Sequence, residues 1–142
     1  MVGMNRTRLR NRLIEHEGLR LKPYPDQFGL TTIGIGRCLD RKGISEVEAN
    51  LMLDNDIDDC VDDCKTSIPF FDNLDNLRQE VLLEMCFQMG IGGLLGFKRT
   101  LHEVEIGNYK QASVFMLESK LAKQTPARAK KLAGIMATED GD

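Results

Sequence analysis

The stretch EGLRLKPYPDQFGLTTIGIGR, residues 17–37, is the part of the chain that says most about its fold. The residues before this stretch include apolar residues at helical spacing. The second residue of the stretch, Gly18, is of the type that commonly ends a helix. A turn at residues 26–29 then precedes a β-prone run at residues 31–36. The stretch therefore predicts a first helix that is capped by Asn5 and ends at Gly18, followed by a small hairpin or three-stranded sheet.

The rest of the chain carries mainly helical patterns. Ser45 and Glu48 form a capping box at the start of a long helix, which Ser67-Ile68-Pro69 ends. Residues 77–89 are apolar on almost every side and predict a buried central helix that ends at Gly90. Later helices are predicted at residues 98–106, at 109–120, and from Pro126, with Thr125 as its cap, to Met136.

These elements predict an α+β fold in one domain, residues 1–142. We expect a β-sheet lobe at about residues 18–44 and a connecting helix at 45–64. A mainly helical lobe at 65–142 follows, with helix 5–17 packed on it. The tail from Glu139 to Asp142 is expected to be frayed.

Composition narrows the class of protein. Of the 142 residues 42% are apolar and 29% are charged, which is typical of a globular protein, and the formal net charge of −3 argues against nucleic acid as a partner. No apolar run approaches the roughly 18 residues of a membrane span, so no stable membrane insertion is expected. Residues 1–12 are basic and no apolar stretch follows them, so we expect no secretory signal peptide.

The cysteine pattern predicts neither a metal site nor a disulfide. Cys38, Cys60, Cys64 and Cys86 contain no C-x-x-C pair, and both histidines are distant in sequence. Without a secretion signal, we expect all four thiols to be reduced. No metal ion or cofactor is predicted.

A pair of carboxylates is the candidate chemical group. Cleaving a glycosidic bond requires an acid that protonates the leaving oxygen and a second carboxylate that activates water or attacks directly. Glu17 lies at the end of the first helix and Asp26 lies in the following turn, so a helix end facing a hairpin can place both across a cleft. The alternative is that both are ordinary surface residues.

The residues around this pair favour the chemical interpretation. Residues 17–36 closely resemble the active-site segment of the phage lysozyme family, the muramidases of the T-even type. The family pattern is a Glu, eight residues, an Asp, five residues and a Thr, which Glu17, Asp26 and Thr32 match in type and spacing. The resemblance extends from about Leu13 to Lys131, with later landmarks in residues 44–57, 71–75, 85–90, 96–97 and 124–130.

The resemblance implies a bacteriolytic glycosidase, an endolysin, that cleaves peptidoglycan between N-acetylmuramic acid and N-acetylglucosamine with inversion. It assigns Glu17 as the general acid, and Asp26 and Thr32 as the residues that hold and activate the attacking water. Arg128 would approach and orient Glu17. Gln88 and Phe87 would line the glycan cleft, although both also fit ordinary packing positions.

Three positions depart from the family pattern. The family's histidine after Ile-Gly-Ile-Gly is Arg37 here, its tryptophan before Gln-Thr-Pro is Leu121, and an asparagine expected to touch sugar is Phe115. These departures bear on substrate affinity rather than on the three reacting residues. We predict that Arg37 replaces the histidine in an ion pair with Asp56.

The resemblance also implies a biological role. We expect a monomer in the host bacterial cytoplasm whose partner is the peptidoglycan glycan strand, reached after holin-dependent permeabilisation of the membrane. Phage and prophage origin both remain open. The alternatives are a catalytically inactive peptidoglycan-binding module, a lytic transglycosylase, which lacks a water-activating Asp, and the lysozyme component of a phage tail device.

Overall fold

A computed structural model describes residues 3–139, which form two compact units that divide between Leu51 and Met52. The part of the predicted tail beyond Glu139 lies outside the described residues. Secondary structure follows the α+β prediction, with three short strands in the first unit and helices making up most of the second.

The first helix, α1 (Arg6–Glu17), has the predicted boundaries. The Asn5 side chain accepts a hydrogen bond from the Arg8 amide at 2.9 Å. Gly18, at φ +78°, ends the helix and donates its amide to the Ile14 carbonyl at 2.8 Å. Glu17 therefore occupies the last helical position, directly before the chain turns into the sheet.

The sheet is three-stranded and antiparallel in the order β1-β2-β3, with β1 at Arg20–Pro25, β2 at Thr31–Gly34 and β3 at Arg37–Cys38. Arg20 lies opposite Gly34 and Tyr24 lies opposite Thr32, so four residues of β1 span only two of β2. This bulge bends β1. A short helix absent from the sequence prediction, α2 (Leu39–Lys42), follows β3 and ends at Gly43.

The long helix α3 (Glu46–Ser67) begins at the predicted capping box. The Glu48 amide donates to Ser45 Oγ at 3.1 Å, and the Ser45 amide donates to Glu48 Oε1 at 2.8 Å. Each side chain thus satisfies an amide that the first turn leaves unpaired. The helix ends at Ser67, at the predicted break.

The core of the second unit surrounds α4 (Asn76–Leu95), whose buried apolar residues are Val81, Leu82, Met85, Cys86 and Leu94. The predicted end at Gly90 is wrong in part. Gly90 leaves helical geometry, at φ +76° and ψ 165°, but helical hydrogen bonding resumes as far as Leu95. A glycine can take this conformation without strain, so it kinks the helix instead of ending it.

Four further helices complete the second unit: α5 (Lys98–Glu105), α6 (Tyr109–Glu118), α7 (Lys120–Gln124) and α8 (Pro126–Ala137). The helix predicted over 109–120 ends at Ser119, which caps α7 by accepting from the Ala122 amide. Thr125 precedes α8 but its side chain does not cap it: the hydroxyl donates to the Leu121 carbonyl and accepts from Gln88.

One charged residue lies in this core. Arg78 is 1% exposed, with its guanidinium 4.1 Å from the Tyr109 ring centroid. It donates to Asp75 and to the backbone carbonyls of Met136 and Thr138 at the end of α8. Arg78 therefore ties the start of α4 to the end of the last helix.

The described residues, 3–139, can be compared with the length and apolar content that a membrane-spanning helix needs. No single helix there is both long and apolar enough to cross a bilayer. Only α4 and α5 taken together reach that length and composition, and they meet at a bend of 101°.

Candidate active site

A cavity of about 420 Å³ in the first unit brings together Glu17, Asp26 and Thr32, the three residues that the sequence pattern singled out. The end of α1, the turn after β1 and the buried face of β2 supply one residue each. The cavity walls include Arg20, Tyr24, Gly36 and Cys38. Three residues separated by up to fifteen positions thus face one space.

Glu17 lies directly against the backbone of Gly36. A Cβ atom at position 36 would lie 2.5 Å from Glu17 Oε2 and 2.8 Å from its Cδ, closer than real Cβ contacts. Gly36 also has φ +66°, which L-residues with side chains adopt at a cost. Glycine is therefore required here for two reasons: the turn between β2 and β3 needs the backbone angle, and the carboxyl needs the space.

The Asp26 carboxylate is held by its own turn. Its Oδ1 accepts hydrogen bonds from the Phe28 amide at 2.8 Å and the Leu30 amide at 2.9 Å. Gly29, at φ +77°, closes the turn by donating to the Asp26 carbonyl at 2.9 Å. Within residues 3–139, Oδ2 has no hydrogen-bond partner, so one oxygen is fixed and the other is available to a water molecule.

Thr32 is 4% exposed, and its hydroxyl donates to the Leu30 carbonyl at 3.0 Å. This bond uses the hydroxyl proton and leaves the oxygen's acceptor capacity. The same turn that binds Asp26 therefore orients Thr32. Asp26 and Thr32 therefore both retain acceptor capacity and line the same cavity.

Sequence reasoning missed Arg20 as a site residue. Its guanidinium carbon lies 4.4 Å from the Tyr24 ring centroid, within the range of cation–π attraction. In a regular strand the Cα atoms of residues four apart would be about 13 Å apart, and in β1 a bulge lies between these two residues. The spacing in sequence therefore carried no signal for this pair.

The other predicted site residues lie in the second unit. Arg128 Nε donates to Glu84 Oε2 at 2.8 Å. Gln88 donates to Thr125 Oγ1 at 3.2 Å, while its own Oε1 is buried and has no partner within the described residues. Phe87 is 46% exposed and lies beside a cavity of about 400 Å³. Their roles toward Glu17 and the glycan stay predictions.

The predicted pair of Arg37 with Asp56 is wrong. Arg37 instead makes two parallel hydrogen bonds to Glu48, of 2.9 and 2.8 Å, and donates to the Gly43 carbonyl at 3.1 Å. Glu48 lies at the start of α3, whereas Asp56 lies eight residues and about 12 Å further along the helix. The capping residue is thus within reach of β3, and Asp56 is too far along α3.

This pair perturbs both ionisable groups. The hydrogen bond from Arg37 is the largest of several effects that lower the pKa of Glu48 to about 2, and the Ser45 amide and hydroxyl add to it. The hydrogen bond to Glu48 in turn raises the pKa of Arg37 above its ordinary value. The pair consequently stays charged at any pH near neutrality.

Three thiols gather in the second unit. Cys60 and Cys64 on α3 approach Cys86 on α4, and all four cysteines of the chain are free thiols. Burial, followed by hydrogen bonding with Cys86, raises the pKa of Cys60 to about 11. Burial also raises the pKa values of Cys64 and Cys86. No group of three or more His, Cys, Asp or Glu side chains among the described residues is arranged to hold a metal ion.

Comparison with known proteins finds a family match and several relatives. The family model described as phage lysozyme matches residues 14–137. Probable T4-type lysozymes 1 and 2 of Dictyostelium discoideum are 26% and 24% identical, over 86% and 92% of this chain and 89% and 94% of theirs. The pre-baseplate central spike protein Gp5 of Enterobacteria phage T4 is 28% identical over 86% of this chain, which spans 26% of that protein's length.

The family match covers nearly all of the described chain, including the cavity with its two carboxylates and its buried threonine. Both the helix end that carries Glu17 and the turn that carries Asp26 lie inside the matched region. We conclude that the chain belongs to the phage lysozyme family and is a glycoside hydrolase, a muramidase.

Proposed function

We propose that the protein hydrolyses the β-1,4 bond between N-acetylmuramic acid and N-acetylglucosamine in peptidoglycan with inversion at the anomeric carbon. The observation that carries this proposal is that one cavity gathers Glu17, Asp26 and Thr32, with Asp26 Oδ2 and the Thr32 oxygen both able to accept from water. A carboxylic acid and a water-activating base are the two groups that inverting glycosidases need.

In the proposed reaction, Glu17 transfers its proton to the glycosidic oxygen as the bond from that oxygen to the anomeric carbon breaks. Water attacks the anomeric carbon from the opposite face and loses a proton to Asp26, which restores the charge balance. Thr32 holds the water in line by accepting its other hydrogen. Inversion requires the two carboxyls to be about 6.5–9.5 Å apart, whereas a covalent intermediate requires about 5–5.5 Å.

Three residues of the second unit complete the proposal. Arg128 is proposed to orient the Glu17 carboxyl, in exchange for or in addition to its bond to Glu84. Gln88 and Phe87 are proposed to line the glycan cleft.

The test is a turbidity assay on permeabilised Gram-negative cells. Glu17→Gln should lose about 10²–10⁴-fold in lytic rate, because the amide cannot donate the proton that positioned acid catalysis supplies. Glu15→Gln, on the same helix and exposed, is the matched control and should behave as the unmodified protein. Activity of Glu17→Gln within about tenfold of the control would contradict the assignment.

Asp26→Asn tests the base separately from the fold. The carboxamide oxygen can still accept the two turn amides, so the turn should survive while the base is lost. Lytic activity should fall as for Glu17→Gln, with an unchanged melting temperature. NMR of the first product should show the inverted α-anomer, and a retained β-anomer would instead indicate a covalent nucleophile.

For the biological role we propose a monomeric endolysin that degrades the host wall from within once the membrane is permeabilised. The similarity to the spike protein Gp5 favours a second candidate, a lysozyme carried in a phage tail device. Lysis of producing cells only after co-expression of a holin would support the endolysin. Recovery of the protein in purified virions would support the tail device.

A further inference from the structure

The catalytic cavity of the first unit contains a cation that the reaction proposed above does not use. Arg20 lines the same space as Glu17 and Asp26, yet its side chain has no ion pair or hydrogen bond with any residue in 3–139. The guanidinium is instead exposed and lies over the Tyr24 ring. An arginine between two acids that pairs with neither has its hydrogen-bonding capacity available for a ligand.

The stack on Tyr24 prepares Arg20 for a planar anion. Contact with an aromatic face restricts the guanidinium plane but uses none of its five N–H donors. Guanidinium groups bind carboxylates through two parallel hydrogen bonds, which a lysine ammonium cannot match in geometry. The Arg20–Tyr24 pair therefore has the form of a carboxylate-binding subsite.

The substrate of the proposed reaction offers such a group. N-acetylmuramic acid differs from N-acetylglucosamine by a lactyl ether whose carboxyl is either free or extended into a stem peptide with carboxylates of its own. The Asp26 carboxylate makes the cavity electronegative, so a cation there favours the binding of an anionic substrate group. In chains made only of N-acetylglucosamine the ring substituents are neutral.

We propose that Arg20, held by Tyr24, binds a carboxylate of the muramoyl side chain, either the lactyl carboxylate or one in the stem peptide, and thereby makes the enzyme selective for peptidoglycan. The inference rests on the proposed function for its substrate. Arg20 contributes to substrate binding and not to the proton transfers, so its loss should raise KM and leave kcat nearly unchanged.

Variants can separate the local contact from net charge. Arg20→Gln removes the cation from the cavity, and Arg41→Gln removes an equal charge from an exposed position on α2 that does not line it. Arg20→Gln should raise KM about tenfold. This is the lower end of the range for losing a hydrogen bond between charged groups, because the site is exposed. Arg41→Gln should leave KM unchanged. Tyr24→Leu removes the ring that holds the guanidinium and should show part of the same rise in KM.

Three soluble substrates identify the group that Arg20 binds: glycan strands with stem peptides, strands stripped of peptides by an amidase, and stripped strands whose lactyl carboxyls have been amidated. On amidated strands Arg20→Gln should no longer differ from the unmodified protein. An effect on stripped strands assigns the lactyl carboxylate, and an effect only on intact strands assigns the peptide. A persistent difference on amidated strands, or equal KM for Arg20→Gln and Arg41→Gln on all three, would overturn the inference.

Binding measured without turnover separates this inference from the proposed reaction. Calorimetry with Glu17→Gln and with the Glu17→Gln/Arg20→Gln double variant gives Kd values on the same strands. A tenfold weaker Kd for the double variant supports the inference even if the unmodified protein proves to cleave nothing, a result that would refute only the proposed function. Equal Kd values combined with normal cleavage by the unmodified protein would refute the inference alone.

Discussion

Replacing Gly36 with alanine should inactivate the enzyme while costing little more stability than a matched control. The new Cβ would lie 2.5 Å from Glu17 Oε2, so the carboxyl must move by about 1 Å to restore ordinary contact. Because the carboxyl is the far end of a flexible side chain, this movement is cheap for the fold. It is costly for catalysis, since a displacement of about 1 Å can lose roughly 10²-fold in rate.

Gly34 provides the control. It has φ +70°, close to the +66° of Gly36, but a Cβ there would meet no atom within 4 Å. Alanine at either position should cost about 1–2 kcal/mol of the free energy of unfolding, from the backbone angle alone. That cost corresponds to a fall in melting temperature of roughly 3–8 °C.

The two variants should therefore melt alike and differ in activity. Thermal unfolding followed by circular dichroism measures the first property, and the initial rate of lysis of permeabilised cells, at a temperature where both variants are folded, measures the second. We expect Gly34→Ala to stay within a few-fold of the unmodified protein and Gly36→Ala to fall by about 10²-fold. Equal loss of activity in both, or a Gly36→Ala variant that remains active, would show that Gly36 is not needed to make room for a catalytic Glu17 carboxyl.

Three further predictions concern the framework. Arg78→Met should cost roughly 3–5 kcal/mol in urea unfolding, because its buried partners lose their donor, and a loss below about 1 kcal/mol would show that they find others. Glu48 has its pKa lowered from 4.5 to about 2, so the stability from its pair with Arg37 is present above pH 4.5 and lost as the pH falls through about 2. A double-mutant cycle with alanine at both positions should give a coupling energy that is constant from pH 6 to 9, and one that changes there would contradict it. The pKa of Cys60 is raised from 9.0 to about 11, so the neutral thiol's contribution to the free energy of unfolding is full below pH 9 and is lost as the pH rises through 11. Cys60→Ala should therefore lose less stability between pH 9 and 11 than the unmodified protein, and an equal loss in both would contradict this prediction.

Local sequence determined the elements that carry Glu17 and Asp26. Asn5 and Gly18 set the ends of α1, and hence the place of Glu17, through hydrogen bonds to residues three and four positions away. The turn that holds Asp26 is closed by its own side chain and by a glycine three residues on. Capping and turn formation depend on neighbours within one turn of the chain, so the pattern of residue types was sufficient to predict them.

The family resemblance predicted that Glu17, Asp26 and Thr32 lie together. Their spacing follows from a helix end, a turn and a strand in immediate succession. Between these residues, fifteen positions of chain carry few degrees of freedom once the turn and the strand register are set. The shared cavity is therefore close to a local property of residues 17–36, which is why sequence alone was informative about it.

Tertiary structure decided which partner each charged side chain found. Arg37 binds Glu48 and not Asp56, Arg78 is buried at the end of α8, and Arg20 stacks on Tyr24 across the bulge of β1. Periodicity and residue type predict which face of a helix or strand a polar side chain occupies. A long guanidinium can nevertheless reach acceptors on several elements. Which acceptor it binds depends on distances that only the packed backbone defines.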